Sequence, residues 1–293
     1  MTMNREIIIE KLNDLKERGF EVPSEDMIKT NEEIEKIKES AKINTELLDF
    51  ISENIKPGMT TEELDKIAHD FIISKGAVPA LLGEPSPLGS HDYPKSTSIS
   101  INNEICLGIP NTDTVLKDGD IVSVCIPIVY NGYCSDLSRM FMIGNVNDEA
   151  KRLVEVAKEC LYKEIQAIKP WGHIGDIVDA VEKHAHANGY SVFDKIGHGI
   201  GVTVFEDPTF GPKGVGLDAL LGEPTFGEDK IGQGMVLAPG MVLSLEPPIN
   251  EGSKDWYLDK NNGWTIYTND GKLSAQWGYT VLVTESGAEI ICK

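Results

Sequence analysis

The sequence predicts an α+β fold of two similar halves, each a helical pair followed by antiparallel strands. An internal echo carries this expectation. NIKPGMTTEELDKIAHDFIISKGA starts at Asn54 and AIKPWGHIGDIVDAVEKHAHANGY at Ala167; both contain Ile-Lys-Pro and reach a glycine nineteen residues after the proline, at Gly76 and Gly189. Leu64 and Ile177 match in offset, as do Ala68 and Val181. A repeat of this length that occurs twice fits two pseudo-symmetric halves and not a solenoid. The stretch DIVSVCIPIVYNGYCSDLSRMFMIG adds the strand signal, because Asn131-Gly132 is the favoured two-residue hairpin turn.

Taken in chain order, residues 1–30 read as a separate element. Ile8, Leu12 and Leu15 follow helical spacing, and GFEVPSED breaks it. The expectation is an amphipathic helix plus linker ahead of one domain over residues 31–293, with no boundary inside it. Packing on the body accounts for such a helix; a partner-binding extension is the alternative. SAKINTELLDFISE and DEAKRLVEVAKECLYKEI supply the first helix of each pair. Thr60 and Glu63 form a capping box that starts the second helix of the first pair.

The Asn-Gly turn sets a register in which Tyr130 faces Tyr133, Val129 faces Cys134 and Pro127 faces Asp136. Alternation then puts Cys125, Pro127, Cys134 and Asp136 on one face, with Cys125 a diagonal neighbour of Asp136. MVLSLEPPI and QWGYTVLVTESGAEIIC read as further strands, and the Gly-rich segment from Gly211 to Gly234 reads as a long loop.

Composition excludes several functions. Lys plus Arg is 27 against 47 Asp plus Glu, a net charge of −20 that repels phosphate backbones and anionic lipid. No nucleic-acid or membrane role is expected. The apolar run Ile7-Ile8-Ile9 is too short for a signal-peptide core. The five cysteines, Cys106, Cys125, Cys134, Cys160 and Cys292, form no C-x-x-C pair and read as free thiols. A cytoplasmic monomer is the resulting expectation.

Three residues stand out as metal ligands. Asp136 is a carboxylate on the hairpin. His198 lies in IGHGIG, whose glycines let the backbone bend and expose the ring. Glu246 ends the apolar strand MVLSLEP, which Pro247 stops. Two carboxylates and an imidazole suit Zn, Mn, Fe(II) or Co. Singly, each has an ordinary explanation: a backbone-bonded Asp, a His filling a turn, a solvated Glu.

The order and context of these residues resemble the type I methionine aminopeptidases over nearly all of residues 30–293. The matching stretches are YPKSTSISINNEICLGIP, LKDGDIVSVCIPIVYNGYCSDLSRMF, IGHGIG, APGMVLSLEPPIN and WTIYTNDGKLSAQWGYTVLVTESG. The resemblance implies a pita-bread fold with two divalent metals held by two aspartates, a histidine and two glutamates. Asp136, His198 and Glu246 match three of those positions. Cys125 stands at the first aspartate and Gly278 at the last glutamate. Leu107 and Phe205 replace two pocket histidines, Tyr279 replaces the histidine after the last ligand, and Asp207 stands at a usual glutamate. Tyr93 and Trp264 match aromatic positions near the substrate methionine. The segment GEPSPLGSHDYPKS is longer than is usual for the family.

The resemblance therefore implies a methionine aminopeptidase-like protein with a degraded site. Two-metal chemistry needs bridging carboxylates that hold the ions about 3.5–4 Å apart, and Gly278 supplies none. The expectation is one divalent metal (Zn, Mn, Fe or Co) or none, with Asp136, His198 and Glu246 as ligands. Cys125 either joins them or fills an apolar gap. Loss of a pocket donor typically costs about 10²–10³ in rate, so removal of N-terminal methionine is expected to be absent or strongly impaired. The alternative is an active one-metal aminopeptidase. The expected partner is a peptide or protein N-terminus.

Overall fold

A computed structural model describes residues 4–86, 91–212 and 231–293. Most of the expected loop from Gly211 to Gly234, and part of GEPSPLGSHDYPKS, lie outside the described residues. Helix α1 (Arg5–Glu17) buries Ile8 and Leu12 in the main core. Arg5 donates to the carbonyls of Glu25 and Ile28, which fastens the linker. Two helical pairs follow, α2 (Asn31–Asn54) with α3 (Thr61–Ser74), and α4 (Asp148–Ala167) with α5 (Ile174–Ala187).

The echo marks equivalent positions in the two pairs. Capping boxes at Thr30–Glu33 and Thr60–Glu63 start α2 and α3. Asp176 accepts the N–H of His173 at the start of α5. Gly76 (φ 72°) and Gly189 (φ 81°) leave the helices in the left-handed region, where a side chain is strained. Leu64, Ala68, Ile177 and Val181 are all fully buried.

Between the pairs lie β1 (Val78–Pro79), β2 (Ser98–Ile101), β3 (Glu104–Cys106), β4 (Ile121–Cys125), β5 (Ile128–Tyr130), β6 (Tyr133–Ser135) and β7 (Ser138–Met142). After α5 come β8 (Ser191–Val192), β9 (Gly197–Gly199), β10 (Glu206–Phe210), β11 (Val242–Leu245), β12 (Pro248–Asn250), β13 (Trp256–Leu258), β14 (Ile266–Thr268), β15 (Ser274–Gln276), β16 (Tyr279–Thr284) and β17 (Gly287–Cys292). β2-β4-β7 form the main sheet of the first half, and β10-β9-β11-β16-β17 that of the second. Short three-stranded sheets, β1-β5-β6, β15-β12-β8 and β13-β14-β3, complete the layers.

The hairpin register is the expected one, with Val129 opposite Cys134 and Tyr130 opposite Tyr133. The long hairpin is nevertheless split. β5 and β6 pair in one sheet, while β4 and β7 pair in another, with Cys125 opposite Ser138. Pro127 has no N–H for the ladder, so the strand breaks there. Asn44 of α2 reaches into the break and donates to the carbonyls of Ile126 (2.7 Å) and Ser135 (3.3 Å). Cys125 and Asp136 flank this clamped kink. Ser138 and Gly278 then pair across the junction between the halves.

Candidate metal site and cavity

The candidate ligands come from strand ends at that junction. Cys125 closes β4, Asp136 follows β6, His198 is the middle of β9, and Glu246 follows β11. The Cys125 Sγ, Asp136 and Glu246 ligand atoms all lie within 4.8 Å of one another. The Cys125 thiol donates to Asp136 Oδ1 at 3.4 Å, and the Ser244 hydroxyl donates to Oδ2 at 3.3 Å. The backbone of Asp136 is fixed by Thr280, which accepts its N–H and donates to its carbonyl.

His198 joins this set through Glu246. The ring is fully buried, and Nδ1 bonds the Gly199 carbonyl at 2.8 Å. In the neutral ring this bond places the proton on Nδ1. The lone pair of Nε2 then faces Glu246 Oε1 at 3.3 Å, and Nε2 has no hydrogen-bond partner among the described residues. Two acceptors facing each other in a buried space are satisfied by a shared cation. That orphaned nitrogen, 3.3 Å from Glu246, fits one divalent ion shared with that carboxylate, although His198 stands outside the close group of Cys125, Asp136 and Glu246.

Sequence reasoning expected the glycines around His198 to bend the chain and expose the ring. The structure corrects this: β9 is an inner strand between β10 and β11. A Cβ at Gly197 would lie 2.5 Å from the Phe210 ring and 2.6 Å from the Ser244 carbonyl; at Gly199 it would lie 2.2 Å from the Asp207 carbonyl. The glycines permit close approach of neighbouring strands.

The electrostatics of the set are mutual. Burial, and next the charge of Glu246, push Asp136 up to about 6. Burial also raises Glu246, but the close approach of the His198 ring and the charge of Lys195 outweigh it, so Glu246 lies below its ordinary value. Burial, then the charges of Asp136 and Glu246, raise the Cys125 thiol well above its usual range.

Gly278 sits beside this set without a side chain. A Cβ there would meet Ser138 Oγ at 3.1 Å and Glu246 Cβ at 3.2 Å. Gln276, two residues earlier, donates to the Glu246 carbonyl (3.0 Å) and to Oε2 (3.3 Å). Sequence reasoning missed Gln276; its place on the face of β15 that points to Glu246 was the available signal.

The ligand cluster opens into a cavity of about 400 Å³, walled by Leu107, Trp264, Phe205 and Lys195. Leu107 holds φ 56°, a backbone unfavourable for a bulky side chain. Trp264 lines the cavity, with Tyr93 edge-on behind it at 5.1 Å. Tyr93 donates to the Gly108 carbonyl, and Trp264 to that of His91. Phe205 is 40% exposed and lies 5.0 Å from the His198 ring. Cys106 lines the cavity. Cys160 is core, and the buried Cys134 packs beside Ile34 and Ile37. All five cysteines are free thiols. Tyr279 stacks on Tyr162, edge to face.

Fold and site together define a metallopeptidase of family M24, whose sequence profile matches residues 35–285. Within that family the chain belongs with the methionine aminopeptidases. It is 42% identical over 260 residues to methionine aminopeptidase A of Synechocystis, covering 88% of this chain and 94% of that protein. The crystal structure of methionine aminopeptidase from Rickettsia prowazekii superposes with a TM-score of 0.79 at 37% identity, covering 91% of this chain and 99% of the other. That from Thermotoga maritima gives 0.80 at 33% identity, covering 91% and 98%. The fold is the pita-bread fold expected from the sequence. Among the described residues, no helix is long and apolar enough to cross a membrane.

Proposed function

We propose that this chain receives a peptide amino terminus at a one-metal site and turns it over poorly or not at all. Asp136, Glu246 and His198 would hold the ion, with Cys125 as a fourth donor. A divalent ion there would supply Lewis-acid activation of a peptide carbonyl and of water. Trp264, backed by Tyr93, offers the apolar wall for the first side chain. In the metal-free chain Asp136 and Glu246 would instead offer negative charge to the amino group.

The observation that carries the reading is Gly278. It leaves no carboxylate to bridge a second ion, and Ser138 and Glu246 crowd the space where a side chain would start. Leu107 and Phe205 also bring no proton donor to the cavity wall. Elemental analysis of the purified chain with added Zn, Mn, Co or Fe(II) tests this. One metal per chain, lost in Asp136→Ala, is the expected result. Release of methionine from Met-Ala-Ser should be slower by about 10⁴ or more than in a two-metal relative. Two bound metals with turnover near that of a relative would overturn the reading.

A second reading, a slow one-metal aminopeptidase, draws support from the orphaned Nε2 of His198 facing Glu246. Residual methionine release abolished by His198→Ala would select it. Full absence of release with retained peptide binding would select the binding module. The protein would act in the cytoplasm as a monomer.

A further inference from the structure

We infer that Lys195 makes this cavity selective for ligands that carry a carboxylate within two residues of their amino terminus. This deepens, and rests on, the reading of the cavity as a peptide amino-terminus site.

The charges lining the cavity are divided. Asp136, Glu246 and Glu84 are acidic, and Lys195 is the cation among the lining residues. Lys195 immediately precedes the stretch that leads into β9, so a short segment joins it to His198. The side chain is half-buried. Its Nζ lies 4.7 Å from the centre of the Phe205 ring. Its charge reaches Glu246 and holds that carboxyl down, but among the described residues no salt bridge to Lys195 is formed. The Phe205 ring holds the ammonium by its face and cannot neutralise it.

Charge and shape then specify the ligand. Where no ion neutralises them, Asp136 and Glu246 draw its ammonium, and its first side chain fits against Trp264. A cavity of about 400 Å³ accommodates a dipeptide-sized group. The backbone that follows runs toward the Phe205–Lys195 wall. A neutral ligand that fills the cavity strips water from the ammonium and gives nothing back. A ligand with a carboxylate at that wall pairs it. Selectivity thus has an attractive part and a penalty against the neutral competitor. Two sources share this chemistry: the terminal carboxylate of a dipeptide, and an acidic second side chain in a longer peptide.

Calorimetric titration of the purified full-length chain with matched pairs distinguishes them. Met-Ala against Met-Ala amide reads the terminal carboxylate; Met-Asp-Ser amide against Met-Asn-Ser amide reads the side chain. We expect at least one acid to bind about tenfold more tightly than its neutral partner, as for a desolvated charge pair. The ratio should fall to about one in Lys195→Met and invert in Lys195→Glu. Binding of all four peptides with both ratios within about twofold of one would overturn the inference and leave the amino-terminus reading intact. An acid preference unchanged in Lys195→Met would also overturn it. Failure of all four peptides to bind would remove both.

Discussion

Ser138 and Gly278 form an antiparallel bridge, each donating its backbone N–H to the other's carbonyl, at 3.0 and 3.1 Å. The bridge joins the first-half strand β7 to the segment leading into β16. It brings the side-chain-free residue against the very carboxylate, Glu246, that a bridging partner would have to accompany.

The double variant Cys125→Asp, Gly278→Glu should therefore raise the metal content from one to two ions per chain, measured by elemental analysis. The new Cβ begins 3.1–3.2 Å from Ser138 and Glu246, so neighbours must yield by a few tenths of an ångström. Overpacking of that size costs about 1 kcal/mol, visible as a small fall in Tm. An unchanged metal content would show that the two substitutions are not what limits the site.

Gln276→Leu should weaken metal binding about 10–100-fold, the usual effect of losing a group that orients a ligand. Gln276 holds both the backbone carbonyl and the carboxylate of Glu246. Competition with a chelator measures this, and native affinity in the variant would assign Gln276 to packing alone.

Glu164 gives a pH prediction. It lies on the buried face of α4, fully inaccessible, and its carboxyl oxygens have no hydrogen-bond partner among the described residues. Burial, and next the charge of Glu246, raise it well above its ordinary 4.5. A raised carboxyl stabilises the fold fully below its unfolded value, and that contribution is lost as pH rises through the folded value. Native Tm should fall between pH 5 and pH 8 by more than that of Glu164→Leu. At pH 8 the variant should be the more stable, by about 1–4 kcal/mol as for other buried charges replaced by apolar groups. Parallel pH profiles for the two proteins would contradict this.

Lys29 of the linker pairs with Glu206 at 2.7 Å, with side chains 9% and 20% exposed. Glu206 also accepts the N–H groups of Val202 and Thr203, which shapes the loop that carries Phe205. Lys29→Met should cost about 3 kcal/mol, the low end for breaking a largely buried pair. It should also increase proteolysis near residues 201–206. A variant with native Tm and native protease resistance would show that the linker does not support the loop.

The parts of the fold legible in the sequence were those set by local chemistry. The echo was readable because Gly76 and Gly189 must leave their helices with positive φ. The hairpin register was readable because Asn131-Gly132 fixes it, and that register placed Cys125 beside Asp136. The split at Pro127 was harder to read, since it depends on Asn44 arriving from α2. The glycines around His198 were misread because flexibility and close approach use the same residue. Lys195 was missed because no local pattern separates it from a surface lysine; only the tertiary arrangement turns it to the cavity.

The close contacts at Gly197 and Gly199 carry a wider consequence. These two positions exclude every side chain, and β9 is pinned on both edges, so the strand cannot slide or tilt to suit a new chemistry. Whatever this site evolves toward must be reached by exchanging side chains at the rim of an immovable socket. The backbone specifies where donors can stand, and positions such as 107, 125, 205 and 278 decide whether a donor stands there at all.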